Sequence, residues 1–231
     1  GDGATATVND STLRLVGGDR SITTEDGDVR LEGVTRDGTA RALTVVTNTA
    51  NSGAVQFDGA IGADGGGELS AVNIGTGGGN NLVDSVTFRG TADANALTID
   101  AAGLVTVGDA VGDVQRIDGP VDIDTSTLTV NAPVTTTAGG TLTVTNTGVA
   151  AINGDVTSDG AMLFDSTGQI TLGANLEVTG AADSVTVNDS TVQLAGAHTL
   201  TTNNGNVALD AITTALADNH SLTITAGTGD I

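Results

Sequence analysis

Aspartates near the middle of the chain form its densest group of chemically capable side chains: Asp109, Asp113, Asp118, Asp122 and Asp124. Alternate residues of a strand share a face, so Asp122 and Asp124 are predicted to lie about 7 Å apart on the outside of a strand. Paired carboxylates can hydrolyse glycosides or bind Ca²⁺. Catalysis needs further groups that hold a sugar, and only Arg116 is close by. We therefore expect a solvated acidic face that binds Ca²⁺ at most loosely, with no catalytic residue, no cofactor and unknown metal ligands.

Two glycine-rich stretches, residues 62–67 and 75–82, are further candidates for binding. The second approaches the Gly-Gly-x-Gly-x-Asp repeat with which β-rolls bind calcium, but it stands alone and has Asn81 where Asp is required. Neither stretch ends in the Gly-Lys-Ser/Thr of a phosphate-binding loop. We expect both stretches to be loops that protrude between strands.

The two histidines, His198 and His220, have no cysteine and no second histidine at metal-binding spacing beside them. We expect both to be surface or corner residues. No Gly-x-Ser-x-Gly motif is present, so the sequence does not indicate a hydrolase nucleophile. The three phenylalanines, Phe57, Phe88 and Phe164, are expected to fill wide positions of the core.

Composition excludes several classes of protein. The 231 residues include no Cys, so neither disulfides nor cysteine-ligated zinc can form. The net charge of -21 repels nucleic acid and anionic membrane surfaces, and no apolar run is long enough for a transmembrane helix. All seven arginines lie within the first 116 residues, so we expect the arginine-bearing end to complement the acid-rich end of a neighbouring molecule.

The chain repeats itself at long range. Residues 8–18 (VNDSTLRLVGG) recur as residues 187–197 (VNDSTVQLAGA), with seven of eleven positions identical. The match continues, so that residues 8–35 resemble residues 187–213, and Leu43-Thr44-Val45 returns as Leu222-Thr223-Ile224. The period is 179 residues between Val8 and Val187, so residues 1–231 hold about 1.3 copies of a tandem repeat. We interpret them as one continuous stretch of a longer array.

Strands are predicted throughout. Short segments such as Val121–Asp124 alternate apolar with Thr or Asp, and no 11-residue window has a helical stripe. Two all-β folds fit this pattern. One is a parallel β-solenoid of about ten coils, each of about 20 residues and about 4.8 Å high. The other is a row of immunoglobulin-like sandwiches, with hairpin turns at Asp26-Gly27, Asp159-Gly160 and Asn204-Gly205. The near absence of aromatic residues favours the solenoid, whose narrow core suits Val, Leu, Ile and Ala.

Three phrases carry a resemblance to a known group: ALTIDAAGLVTVGDAVGD (residues 96–113), TLTVTNTGVAAINGDVTSDG (141–160) and SLTITAGTGDI (221–231). They resemble the β-strand repeats of filamentous-haemagglutinin-like giant bacterial surface proteins. The resemblance implies a secreted, right-handed parallel β-helix that acts as an adhesin, a sheath component or an extracellular fibre. It transfers no catalytic residue.

From these observations we expect a non-enzymatic protein of the cell surface or of an extracellular filament. A solenoid without caps exposes unpaired backbone groups at both ends, so self-association end to end or side by side is expected, together with contact to a cell surface or a polysaccharide. The rival hypothesis is a lyase or hydrolase that acts on polysaccharides. Such enzymes hold sugars with Lys, Arg, Trp or Tyr, and this chain has no Lys, Trp or Tyr. A third hypothesis is an adhesive tip that does not polymerise.

Overall fold

The computed structural model describes residues 5–47, 52–62, 68–76, 82–108, 115–188, 191–214 and 219–231. Within these ranges the chain consists of strands, turns and bends, and contains no helix. The described residues accordingly offer no helical segment with the length and hydropathy of a bilayer span.

The 26 strands are short and follow one another closely. The first nine are β1 (Ala6–Leu15), β2 (Arg20–Thr24), β3 (Val29–Arg36), β4 (Ala42–Thr47), β5 (Ala54–Phe57), β6 (Ala71–Ile74), β7 (Ser85–Phe88), β8 (Ala92–Ala94) and β9 (Leu97–Asp100). The next nine are β10 (Leu104–Val107), β11 (Gln115–Ile117), β12 (Val121–Thr125), β13 (Thr127–Val130), β14 (Val134–Thr136), β15 (Leu142–Asn146), β16 (Ala150–Ile152), β17 (Val156–Ser158) and β18 (Met162–Ser166). The last eight are β19 (Gln169–Leu172), β20 (Leu176–Ala181), β21 (Val185–Asn188), β22 (Thr191–Leu194), β23 (His198–Asn203), β24 (Val207–Leu209), β25 (Ile212–Thr214) and β26 (Leu222–Thr225).

The strands form three sheets in which the described pairings are all parallel. The ten-stranded sheet runs β1-β3-β5-β7-β10-β13-β16-β19-β22-β25, the nine-stranded sheet runs β2-β4-β6-β9-β12-β15-β18-β21-β24, and the seven-stranded sheet runs β8-β11-β14-β17-β20-β23-β26. From β7 onward each coil visits the ten-, seven- and nine-stranded sheets in that order. Each strand therefore pairs with the strand of the coil above it, as in β12 on β9 and β15 on β12.

This topology confirms the parallel β-solenoid predicted from the sequence. The alternative of immunoglobulin-like sandwiches is wrong, because sandwiches require antiparallel pairs. Asp26-Gly27, Asp159-Gly160 and Asn204-Gly205 are corners between strands of different sheets and not hairpin turns. Both copies of the repeat lie in one stack, since the ten-stranded sheet extends from β1 to β25.

The stack has about eight turns, slightly fewer than the ten expected. The coils differ in length more than a uniform 20 residues would allow. Ala54 pairs with Ser85, 31 residues later, whereas Val86 pairs with Val105, 19 residues later. The longest coils are those that contain the glycine-rich stretches.

The core is a narrow column of aliphatic side chains. Alternation along β12 places Val121 and Ile123 inside and Asp122 and Asp124 outside, and the same pattern recurs in most strands. All three phenylalanines are buried, as expected, and the rings of Phe57 and Phe88 stack on successive strands of the ten-stranded sheet, with centroids 5.1 Å apart. The column is nearly closed: two internal cavities of about 10 and 20 Å³ are lined almost wholly by aliphatic side chains and Phe164.

Buried polar side chains close the corners between sheets. Thr136 donates a hydrogen bond to the carbonyl oxygen of Gly140 (2.5 Å), and Ser158 on the next coil donates to the same oxygen (3.0 Å). Thr24 and Thr202 make the corresponding bond to Gly27 and Gly205, three residues further along. These bonds satisfy carbonyl groups that the sheets leave unpaired, which is required when backbone is buried at a bend.

Glycine at such a corner has a steric role. A Cβ atom on Gly140 would overlap the carbonyl group of Gly119, which lies one coil below. The coils stack at about 4.8 Å only if the backbone can approach this closely.

Candidate functional site: acidic face and open ends

The acidic face lies on the outer side of the nine-stranded sheet. Asp122 and Asp124 both point outward from β12, as predicted. The structure adds Asp100, which lies on β9 directly opposite Asp124. The three carboxylates therefore occupy two neighbouring strands of one surface.

Repulsion and partial burial perturb the protonation of this face. Desolvation raises the pKa of Asp100 above the usual aspartate value, and the charges of Asp124 and Asp122 raise it further. Desolvation and the charge of Asp124 likewise raise the pKa of Asp122. The folded state thus favours protonation of these groups more than the unfolded chain does.

A shallow groove of about 330 Å³ borders the face; it is lined by Asp100, Ala101, Ala102, Asp124, Thr125, Ser126, Thr145 and Thr147. The lining contains carboxylates, hydroxyls and methyl groups, and none of the cationic or aromatic side chains with which enzymes grip sugars. Among the described residues, no group of three or more His, Asp or Glu has the arrangement of a metal site. The face has the composition of a hydrated surface.

The other predicted site residues do not join this face. Asp118 is engaged at a corner by Arg116, 3.2 Å away, and by the hydroxyl of Thr137, which donates to it at 2.6 Å. Asp109 and Asp113 lie outside the described residues, as do residues 63–67 and 77–81 of the glycine-rich stretches. His198 and His220 are half-buried, at the start of β23 and just before β26.

Arginines bind carboxylates of the same chain. Asp58 accepts hydrogen bonds from Arg30 and Arg89, and Arg41 lies 3.2 Å from Asp37. Burial alone would raise the pKa of Asp58, but the bonds from Arg30 and Gln56 outweigh it and lower that pKa. The amide of Gly17 and the guanidinium of Arg41 lower the pKa of Asp37 to about 2. Arg36 pairs with Glu68 and Arg116 with Asp118.

This pairing changes the expected role of the arginines. Five of the seven are neutralised by carboxylates within the chain: Arg30, Arg36, Arg41, Arg89 and Arg116. Arg20 donates to the carbonyl oxygen of Val16. Little positive charge is therefore left at this end of the rod to complement the acidic end of a neighbour.

Both ends of the stack expose core side chains and strand edges. At the N-terminal end a cavity of about 410 Å³ is lined by Ala6, Thr7, Val8, Leu13, Arg14, Leu15, Arg20, Ser21, Ile22 and Leu31. At the C-terminal end Ile212 of β25 is 44% exposed, and Leu209, Leu222 and Ile224 are half-buried. Each sheet terminates there in a strand that is paired on one side only.

The sequence contained a signal for Asp100 that alternation within one strand could not reveal. Leu97-Thr98-Ile99-Asp100 and Val121-Asp122-Ile123-Asp124 follow the same pattern, and the structure pairs them residue by residue. Aligning the two phrases as successive coils would have brought Asp100 beside Asp124.

The fold and its surfaces define a class of protein: a repeat-containing parallel β-solenoid with an acidic exterior and open ends. Comparison of the chain with protein-family models, with curated proteins and with solved structures finds no significant match. The functional argument therefore depends on the geometry and the charges of the chain itself.

Removing one charge from the acidic face is expected to stabilise the protein at neutral pH. Because the folded-state pKa values of Asp100 and Asp122 are raised, their ionised forms destabilise the fold at pH 7, and this penalty disappears as the pH falls through the raised values and below 3.8. Like charges on opposed strand positions cost about 0.2–1 kcal/mol, so Asp124→Asn should increase the free energy of unfolding by that amount at pH 7. Urea denaturation followed by circular dichroism between pH 3 and 8 measures the effect.

Asp165→Asn is the matched control, because Asp165 is also outward but is opposed by Thr145 and Asn188. Its effect on stability should be smaller and should vary less with pH. Equal effects of the two substitutions at every pH would contradict the assignment of the repulsion to Asp100, Asp122 and Asp124.

Proposed function

We propose that this chain is a repeat segment of an extracellular structural or adhesive β-solenoid, secreted to the cell surface or into a self-assembling filament. The observation that carries the proposal is the pair of open ends. A coil with unpaired backbone groups and exposed aliphatic side chains is completed by a further coil, so the rod continues through more repeats or through another chain.

The surface chemistry supports a mechanical role. The outer faces carry Thr, Asn and Asp, which keep a rod hydrated, and the interior contains no cavity that would hold a substrate among the described residues. The resemblance of residues 96–113, 141–160 and 221–231 to repeats of bacterial surface proteins agrees with this role. We further propose that any bound Ca²⁺ acts as a loose cross-linker between acidic rods.

Association of the purified chain tests the proposal. We expect light scattering to report masses above the 22.5 kDa of the monomer as concentration rises, and electron microscopy to reveal rods. Ile212→Asp should weaken the association, since it places a charge on the exposed apolar end. Thr213→Asp on the outer face of the same strand is the control.

A monomeric mass at all protein, salt and Ca²⁺ concentrations would contradict self-assembly. The rival hypothesis of a polysaccharide lyase or hydrolase has its own readout, the release of reducing ends from acidic and neutral polysaccharides. The groove beside Asp100 and Asp124 is where such an activity would reside, and we expect no release.

A further inference from the structure

The two copies of the repeat provide an internal comparison of equivalent strands. Val34 of the first copy is fully buried, whereas its equivalent Ile212 is 44% exposed. Leu43 and Val45 are fully buried, whereas their equivalents Leu222 and Ile224 are half-buried. The same sequence motif is thus covered in the first copy and uncovered in the second.

The first copy reveals what covers this motif. Strand β5 pairs with β3, where Val55 lies opposite Val29 and Phe57 opposite Leu31. Ile61 forms a single bridge to Val34, and β6 pairs with β4 over its whole length. The cover is therefore one further coil of the repeat, which supplies both the backbone partners and the aliphatic side chains.

Equivalent segments do not lie on equivalent faces. Residues 29–31 belong to the ten-stranded sheet, but their equivalents in β24 belong to the nine-stranded sheet. The same step occurs for β4 of the nine-stranded sheet, whose equivalent β26 belongs to the seven-stranded sheet. Corner bonds follow the step, since Thr24 bonds to Gly27 after a nine-stranded-sheet strand and Thr202 to Gly205 after a seven-stranded-sheet strand.

Counting strands explains the step. From β3 the ten-stranded sheet rises through β5, β7, β10, β13, β16 and β19 to β22, which is seven full turns. The chain then passes through β23 and reaches β24, which is two further faces. One repeat therefore comprises seven and two-thirds turns.

We propose that the C-terminal end of the stack is a docking surface for the next copy of the repeat in a tandem array, and that each copy is rotated by one third of a turn relative to the one before. The docking coil is the equivalent of β5, Ile61 and β6. The inference deepens the proposed structural role and rests on its tandem array, but not on assembly between separate chains.

The rotation determines how the array can contact other molecules. At about 4.8 Å per turn, one copy adds about 37 Å of length, and three copies, about 110 Å, return a given face to its first direction. A lateral surface present once in each copy therefore points in three directions along the rod. The partner that fits such an array is a set of similar rods on several sides, as in a bundle, and not a single flat surface.

The test is a chain that consists of residues 1–231 followed by two further copies of residues 54–231. Because the protein has no cysteine, Thr87→Cys in the first copy and its equivalents in the other two accept one gold cluster each. Thr87 lies on the outer side of β7. In cryo-electron micrographs of single rods we expect labels about 37 Å apart along the axis and rotated by about 120° from copy to copy.

A second chain calibrates the direction of the rod. Thr87 and Gln193 lie on one straight column of the ten-stranded sheet, five strands apart, through the pairs of Thr106, Thr129, Ala151 and Thr171. Gold at Thr87→Cys and Gln193→Cys of residues 1–231 should therefore form a pair parallel to the axis and about 24 Å long.

Each outcome is decisive. Labels of successive copies in one straight line would overturn the rotation, and separate short rods would overturn the docking. An oblique pair in the calibration chain would overturn the stacking from which both were inferred. Failure of the unextended chain to self-associate would contradict end-to-end assembly and leave this result unchanged, because the labels are read on single rods.

Discussion

Phe88→Ala is expected to lower the free energy of unfolding by about 3–5 kcal/mol, the range for removal of a buried aromatic ring. Phe88 is 1% exposed, and its ring stacks on that of Phe57. The core is a single narrow column, so few neighbouring side chains can move to fill the space that the ring leaves. Urea denaturation followed by circular dichroism measures the loss.

Thr87→Ala is the control for this prediction, because Thr87 is adjacent in sequence but points outward. A surface substitution of this kind should change stability by less than about 0.5 kcal/mol. Equal losses for the two variants would mean that the strand faces the other way, and a loss below about 1 kcal/mol for Phe88→Ala would mean that the column is loosely packed.

Thr136→Val is expected to destabilise the protein by about 1–3 kcal/mol, although the two side chains have nearly the same shape. The hydroxyl of Thr136 donates to the carbonyl oxygen of Gly140, contacts the hydroxyl of Ser158 at 3.0 Å, and accepts from the amide of Asp159 at 3.2 Å. Valine removes all three bonds and leaves the amide of Asp159 without this acceptor. Such a loss is larger than the mean value of one hydrogen bond, because the group left behind has been desolvated.

Thr135→Val tests whether the hydroxyl of Thr136 or merely its position matters. Thr135 is the preceding residue of the same strand and points to the outer face. It should be replaced with little change in the midpoint of urea denaturation. If both variants unfolded at the same urea concentration as the parent, the corner hydrogen bonds would not contribute to the stability of the stack.

Local pattern predicted the strands well, because each strand has one buried face. The alternation of Val121-Asp122-Ile123-Asp124 assigned the inner and outer side chains correctly. The scarcity of aromatic residues indicated a thin core and so favoured the solenoid over the sandwich. Both inferences need only the period of two along a strand and the volume of the side chains.

Relations between coils were less accessible. The number of residues per coil varies from 19, between Val86 and Val105, to 31, between Ala54 and Ser85. A uniform coil of about 20 residues therefore predicted too many turns, and it did not bring Asp100 beside Asp124. The dipeptides Asp26-Gly27 and Asn204-Gly205 suit a hairpin as well as a corner, since either bend demands small residues.

The sequence by itself determined the strands, the inward and outward faces, the acidic surface and the long repeat, because these depend on residue type and spacing along the chain. Only the tertiary structure decided which residues stack on one another, that Thr136 and Ser158 share a carbonyl acceptor, and that one repeat ends two-thirds of the way around a turn. The physical reason is that register between coils depends on the length of every corner and loop that the chain passes through. Alternation along a strand carries no record of those lengths.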